Sequence, residues 1–195
     1  MKINKVRIMA ECAIMIALAT GLSYLQPITA PMGGSVTILS QVPIVVIGYR
    51  HGWKWGSFTG VVHGLLQMVL QGLGNFSYVK GLPAYLILIF MDYLLAYGVL
   101  GLGGAIFMNV KYQPLGIGLG AAAACVMRFV CHFISGVTIW GDYAEGWSGV
   151  WAYSAAYNGW YMAIELAETV VGCVALAAAL DLKSPDLIRR KTATK

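Results

Sequence analysis

Residues 115–140 read LGIGLGAAAACVMRFVCHFISGVTIW, 26 consecutive positions in which Arg128 is the single charge and His132 the single imidazole. A helix needs roughly 20 predominantly apolar residues to cross the hydrocarbon core of a bilayer, so this stretch is long enough to span one unaided. The rest of the chain has the same character. Of its 195 residues, 59% are hydrophobic and 11% are charged, and the mean hydropathy is +0.73. Soluble domains carry about 25% charged residues and about 45–50% apolar ones. A soluble enzyme, a disordered chain and a secreted disulfide scaffold are therefore excluded. What remains is an all-α integral membrane protein of one domain, residues 1–195, with room for about six spans and short loops.

Outward from 115–140, five further segments complete a compact bundle of six transmembrane helices: about 8–26, 37–49, 55–71, 84–108 and 149–182. The first follows Lys2, Lys5 and Arg7, the pattern of a secretory signal. It runs on into Gln26-Pro27 and a polytopic remainder, so it is taken as a span. Lys and Arg collect on the cytoplasmic side of membrane proteins. With six spans, the two termini share a side with loops two and four. Those segments hold eleven of the thirteen basic residues: Lys2, Lys5, Arg7, Arg50, Lys54, Lys111, Lys183, Arg189, Arg190, Lys191 and Lys195. Both termini are expected to be cytoplasmic. The basic tail is a topology signal touching anionic lipid, with no nucleic-acid role.

Several motif classes are missing. Gly101, Gly103, Gly104, Gly116, Gly118 and Gly120 follow no strand, and no Gly-Lys-Ser/Thr occurs, so there is no phosphate loop. Small residues within spans instead permit close helix packing. Cys12, Cys125, Cys131 and Cys173 lie scattered in apolar runs, which implies neither a metal site nor a disulfide. The chain is not expected to be an enzyme or to carry a cofactor, and active transport would need a partner or an ion gradient.

Charges inside a span are costly and mark functional candidates. They are Asp92, Arg128, Glu165 and Glu168, with Glu11 near the start of the first span. Arg128, His132, Gly136 and Trp140 recur every four residues and so share one helix face. A cation, an imidazole, a position without a side chain and an indole suit the wall of a polar, aromatic ligand site. The alternative is a buried Arg128–Asp92 ion pair with His132 hydrogen-bonded in the bundle. Tyr93 adjoins Asp92, and Tyr153 and Asn158 lie near the outer end of the sixth span. A carboxylate among aromatic faces favours a planar organic cation, so a cationic heteroaromatic metabolite fits best.

These residues resemble the ThiT family, the thiamine-specific S components of energy-coupling factor (ECF) vitamin transporters. The family's Lys/Arg-x3-His-x3-Gly-x3-Trp stripe is represented by Arg128, His132, Gly136 and Trp140. Its acidic-Tyr pair appears as Asp92-Tyr93, and its Ala-Tyr-Ser…Asn-Gly element as Ala152-Tyr153-Ser154 and Asn158-Gly159. The Gly33-Gly34-Ser35-Val36-Thr37 loop and the turn Tyr49-Arg50-His51-Gly52 also look alike. Asp92 stands where some members have Glu, Arg128 where some have Lys, and Gly33-Gly34 where some have a loop-one Trp.

The resemblance implies a prokaryotic cell-membrane protein that binds thiamine from outside. It also implies docking, through Ala13 and Ala17, on a transmembrane coupling subunit with two cytoplasmic ATPases. It makes Asp92, Tyr93, Arg128, His132, Gly136, Trp140, Tyr153 and Asn158 the ligand set, with Tyr78 or Tyr85 as a further aromatic. Arg128 is expected to fix Asp92 as a carboxylate. An S component for another vitamin or a thiamine precursor, an intramembrane acid–base enzyme using Asp92 and His132, and a purely structural bundle are the competing expectations.

Overall fold

A computed structural model describes residues 4–30 and 34–188. Lys2, Gly33, Arg189, Arg190, Lys191 and Lys195, invoked above, lie outside the described residues. The bundle consists of α1 (Lys5–Ser23), α2 (Val42–His51), α3 (Trp53–Gln67), α4 (Leu82–Ile106), α5 (Gln113–Ile139) and α6 (Val150–Ala179). Local chemistry sets the ends. Asn4 caps α1 by accepting the Val6 N–H at 3.1 Å. Proline opens α2, α4 and α5, at positions where its missing N–H costs nothing. Gly52, at φ +86°, makes the one-residue turn from α2 to α3 in a conformation that only glycine adopts freely.

Four helices, α1, α4, α5 and α6, have the length and hydropathy of a membrane span. The other two differ from expectation. A helical second span was expected over 37–49, but α2 begins only at Val42. Ten residues cover about 15 Å, half of a hydrocarbon core of about 30 Å. Every residue from 42 to 49 is buried, so α2 is an internal half-helix wrapped by its neighbours. The third span leaves α-geometry at Gln67 and continues as a π-helical turn, Met68–Gly72, and a 3-10 turn, Leu73–Ser77.

Ahead of α2, strands β1 (Ile28–Thr29) and β2 (Ser35–Val36) form a short antiparallel hairpin, pairing Ile28 with Val36 and Thr29 with Ser35. Residues 37–41 then enter the bundle without helical hydrogen bonds. Such backbone must find partners in the protein: the Leu25 carbonyl accepts the Ile38 N–H at 3.0 Å, and α6 supplies others. Glu165 accepts the Thr37 N–H at 3.1 Å, the Thr37 hydroxyl at 2.8 Å and the Gln41 side-chain amide. Glu168 accepts the Leu39 N–H at 3.1 Å. The two glutamates conspicuous in the sixth span thus hold a re-entrant segment.

Glycine lets the central helices touch. Cβ atoms at Gly56, Gly60 and Gly64 of α3 would collide with the backbone carbonyls of Gly101, Tyr97 and Tyr93 on α4. Gly48 of α2 meets Gly101 in the same way. The close packing expected of the small residues is present along this seam. At one end of the bundle, Glu11 accepts from Arg50 Nη2 at 3.0 Å and His51 Nε2 at 2.7 Å, while Arg7 bonds Asp186 at 3.0 Å. Arg50 also donates to the Leu182 carbonyl. The start of α1, the α2–α3 turn and the C-terminal segment therefore share one end.

Removing one partner of a buried ion pair leaves an uncompensated charge and costs about 3–5 kcal/mol. Glu165→Ala is expected to destabilise the detergent-solubilised chain by that order in a denaturant titration. Wild-type stability would contradict the pinning role.

Candidate functional site

The stripe on α5 forms one wall of a cavity at the end of the bundle that carries the hairpin. Arg128, His132, Gly136 and Trp140 all line it. Opposite stands α4, whose middle turns, Leu88–Leu95, are π-helical. A π-turn widens the helix and re-aims its side chains; Asp92 and Tyr93 lie within it and both face the cavity. The third wall is α6, through Tyr153 and Asn158. The structure thus brings eight sequence-selected residues to one cavity. Tyr78 and Tyr85 are not among its lining. Tyr78 packs near Trp140 and Tyr143, its ring centroid 6.2 Å from each, and Tyr85 packs at 5.8 Å from Phe76.

Two acid–base pairs organise the site, and neither is the expected one. Arg128 does not pair with Asp92. Its Nη1 lies 2.7 Å from Glu165 on α6, and its guanidinium sits 4.7 Å over the Tyr97 ring. Asp92 instead binds α5 with both oxygens: His132 Nδ1 donates to Oδ1 at 2.9 Å, and the Ser135 hydroxyl to Oδ2 at 2.7 Å. The shorter acidic side chain is therefore held by donors one and two turns along the neighbouring helix. His132 Nε2 is buried and takes no partner among the described residues.

The remaining polar groups are positioned in turn. Tyr93 accepts from Asn75 Nδ2 at 2.9 Å and donates to the Gly72 carbonyl at 3.3 Å, tying α4 to the turns that end α3. Asn158 donates to the Ser154 carbonyl at 3.0 Å and accepts from the Tyr161 hydroxyl at 2.9 Å. Tyr153 stacks on Tyr157 at 5.6 Å, and Tyr157 meets Tyr161 edge-on at 6.1 Å. These i, i+4 tyrosines give the cavity an aromatic flank along α6.

Gly136 also governs how closely two helices approach. A Cβ there would strike the Ser154 hydroxyl and come within 3.1 Å of Asn158 Nδ2. Its absence admits α6 against α5 at the cavity wall. Sequence patterning missed Asn75, Tyr97, Tyr157, Tyr161 and Ser35, which also line the cavity, and Ser135, which holds Asp92. Tyr157 and Tyr161 continue the four-residue spacing of Tyr153 and were open to detection. Asn75 sits in a turn reached only through the π-helical end of α3, for which the sequence offers no signal.

A six-helix membrane bundle with a carboxylate, an imidazole and a tyrosine ladder around one cavity defines a multi-pass membrane protein built to hold a small aromatic molecule. The profile of the thiamine transporter protein family (Thia_YuaJ) matches residues 9–187, and the chain belongs to that family. It is 25% identical over 197 residues to the thiamine transporter ThiT of Bacillus subtilis, covering 96% of this chain and 94% of that protein. It is 30% identical over 165 residues to ThiT of Lacticaseibacillus paracasei, covering 78% of this chain and 77% of that one. A solved structure of ThiT from Listeria monocytogenes superposes with a TM-score of 0.73 at 25% identity, over 94% of this chain and 98% of that one.

Overpacking a well-filled contact costs about 1–3 kcal/mol. Gly136→Val is expected to lower the thermal unfolding midpoint in detergent. Gly74→Ala, at a position with nothing within 4 Å of a new Cβ, is expected to leave it unchanged. Equal midpoints would refute the contact between α5 and α6 at Gly136.

Proposed function

We propose that this chain captures thiamine at the outer face of a prokaryotic plasma membrane, as the substrate-specific component of an ECF-type uptake system. The whole of residues 1–195 acts as a single transmembrane domain with cytoplasmic termini. Family membership supports the vitamin, and the observation that carries the site is the Asp92 carboxylate. It is fixed by His132 and Ser135 at the wall of an aromatic cavity. Thiamine joins an aminopyrimidine to a permanently cationic thiazolium, so it needs one negative charge and flat aromatic partners.

In this assignment Asp92 faces the thiazolium charge, and Trp140 and the α6 tyrosines cover the rings. Tyr93, His132, Tyr153 and Asn158 complete the polar contacts. His132 orients the carboxylate through Nδ1, which leaves Nε2 for the ligand. The bond between Asp92 and His132 then serves charge placement rather than proton transfer. Arg128 acts from behind, through Glu165 and Tyr97. Ala13 and Ala17 lie exposed on α1. They are the docking face for a transmembrane coupling subunit, with two cytoplasmic ATPases supplying energy.

Hydrogen bonds and contacts to a charged group are worth about 1.5–3 kcal/mol. Asp92→Asn is therefore expected to weaken thiamine binding by about ten- to hundredfold, and Asn158→Ala by a smaller factor, in tryptophan-quenching titrations. Wild-type affinity in both variants, or equal quenching by riboflavin, would overturn the assignment. Ala17→Trp should leave thiamine binding intact and abolish uptake in cells that contain the coupling subunit. Undiminished uptake would remove α1 from the docking role.

A further inference from the structure

Polar side chains recur every four residues along the third span, at Thr59, His63, Gln67 and Gln71, a spacing that keeps them on one helix face. The first span meets three of them. Thr20 Oγ1 lies 3.2 Å from His63 Nδ1, and Ser23 takes both glutamines. Ser23 Oγ donates to the Thr20 carbonyl at 2.7 Å and accepts from Gln67 Nε2 and Gln71 Nε2, each at 2.8 Å. A hydroxyl has one hydrogen to give and two lone pairs to fill, so this buried group is saturated.

Its two partners bracket a change of geometry. Gln67 is the last residue of α3, and Gln71 lies in the π-helical turn Met68–Gly72. Gln26, just past α1, donates to the Gln71 amide oxygen, so the Gln71 side chain is held at both ends. The next residue carries that hold to the cavity. The Gly72 carbonyl accepts the Tyr93 hydroxyl at 3.3 Å, and Asn75 donates to the same hydroxyl at 2.9 Å. The approach is close: a Cβ on Gly72 would stand 2.1 Å from the Tyr93 oxygen. Tyr93 lines the cavity of Asp92 and His132, whereas Ser23 borders the adjoining hollow under the hairpin.

We infer that Ser23 is a positioning residue for ligand binding: through Gln71 and the π-helical turn, it sets where the Tyr93 hydroxyl stands. The inference rests on the thiamine assignment above. From Ser23 to Tyr93 the path is two hydrogen bonds and the backbone between Gln71 and Gly72. The helix whose outward face exposes Ala13 and Ala17 therefore governs one wall of the cavity through its inward face.

Thiamine affinity, measured by tryptophan quenching on the purified full chain, tests this in a double-mutant cycle. The variants are Ser23→Ala, Tyr93→Phe and their combination. Gln71→Met, which keeps the bulk and removes the amide, is carried through the same cycle in place of Ser23→Ala. Ser23→Ala and Gln71→Met are each expected to weaken binding about three- to tenfold, the worth of a single hydrogen bond. Tyr93→Phe is expected to weaken it as well. Adding either change to Tyr93→Phe is expected to cost nothing more, because the path ends at the missing hydroxyl. Independent effects multiply instead. Multiplied losses in both cycles mean that Ser23 touches the ligand directly or acts on the fold at large, and they overturn the positioning role. So does wild-type affinity in both Ser23→Ala and Gln71→Met, or in Tyr93→Phe. If the wild-type chain binds no thiamine, the thiamine assignment itself falls.

Discussion

The carboxylate of Glu165 sits where three parts of the chain meet, α5, α6 and the segment ahead of α2, and most of the architecture depends on its being satisfied. It receives the backbone and hydroxyl of Thr37, the amide of Gln41 and the guanidinium of Arg128. A bilayer core offers no water to the irregular segment that precedes α2, so that segment depends on the acceptors that α6 and the Leu25 carbonyl bring to it. The same carboxylate neutralises Arg128, which would otherwise be an isolated cation at the edge of the cavity. One buried acid thus settles both how the chain re-enters the bundle and which charged group stands unpaired with a cation at the cavity wall.

That division of labour separates two acid–base pairs that the sequence invites one to merge. With Arg128 occupied by Glu165, Asp92 stands at the cavity wall, oriented by His132 and Ser135. Both donors lie on α5, at positions one turn apart, and pull the short side chain of Asp92 toward that helix. The π-helical turns of α4 face it from the other side. Orientation of the carboxylate is therefore a property of the α4–α5 interface, whose glycine-rich flank with α3 leaves little freedom for sliding.

Much of this was legible in the residues. Few charges in an apolar chain announced a membrane bundle, and the four-residue spacing of Arg128, His132, Gly136 and Trp140 marked the face that lines the cavity. Asp92-Tyr93 and Tyr153 with Asn158 fell on the two helices that complete it. Pairing was not legible. Spacing along one helix says nothing about which of two carboxylates on other helices a cation will meet, and Glu165 lies closer to Arg128 through the packing of α5 on α6. The π-helical turns were equally hidden, because no periodicity in side-chain type marks them. Gly136 shows the same limit: a gap was visible, but not what fills it.

The half-length of α2 has a volumetric consequence. A span of ordinary length at that position would occupy the centre of the bundle from one interface to the other. Here the helix covers only about half that length, and its place toward the hairpin end is taken by the thin, non-helical segment 37–41 and the hairpin. Thr37, Ser40, Gly34 and Ser35, all from that replacement, line the open space. The hollow at the hairpin end is in effect the missing half of a helix. Its depth is set by where α2 begins, so shifting the Gln41-Val42-Pro43 boundary by a turn would change the size of the hollow by about 5 Å along its axis.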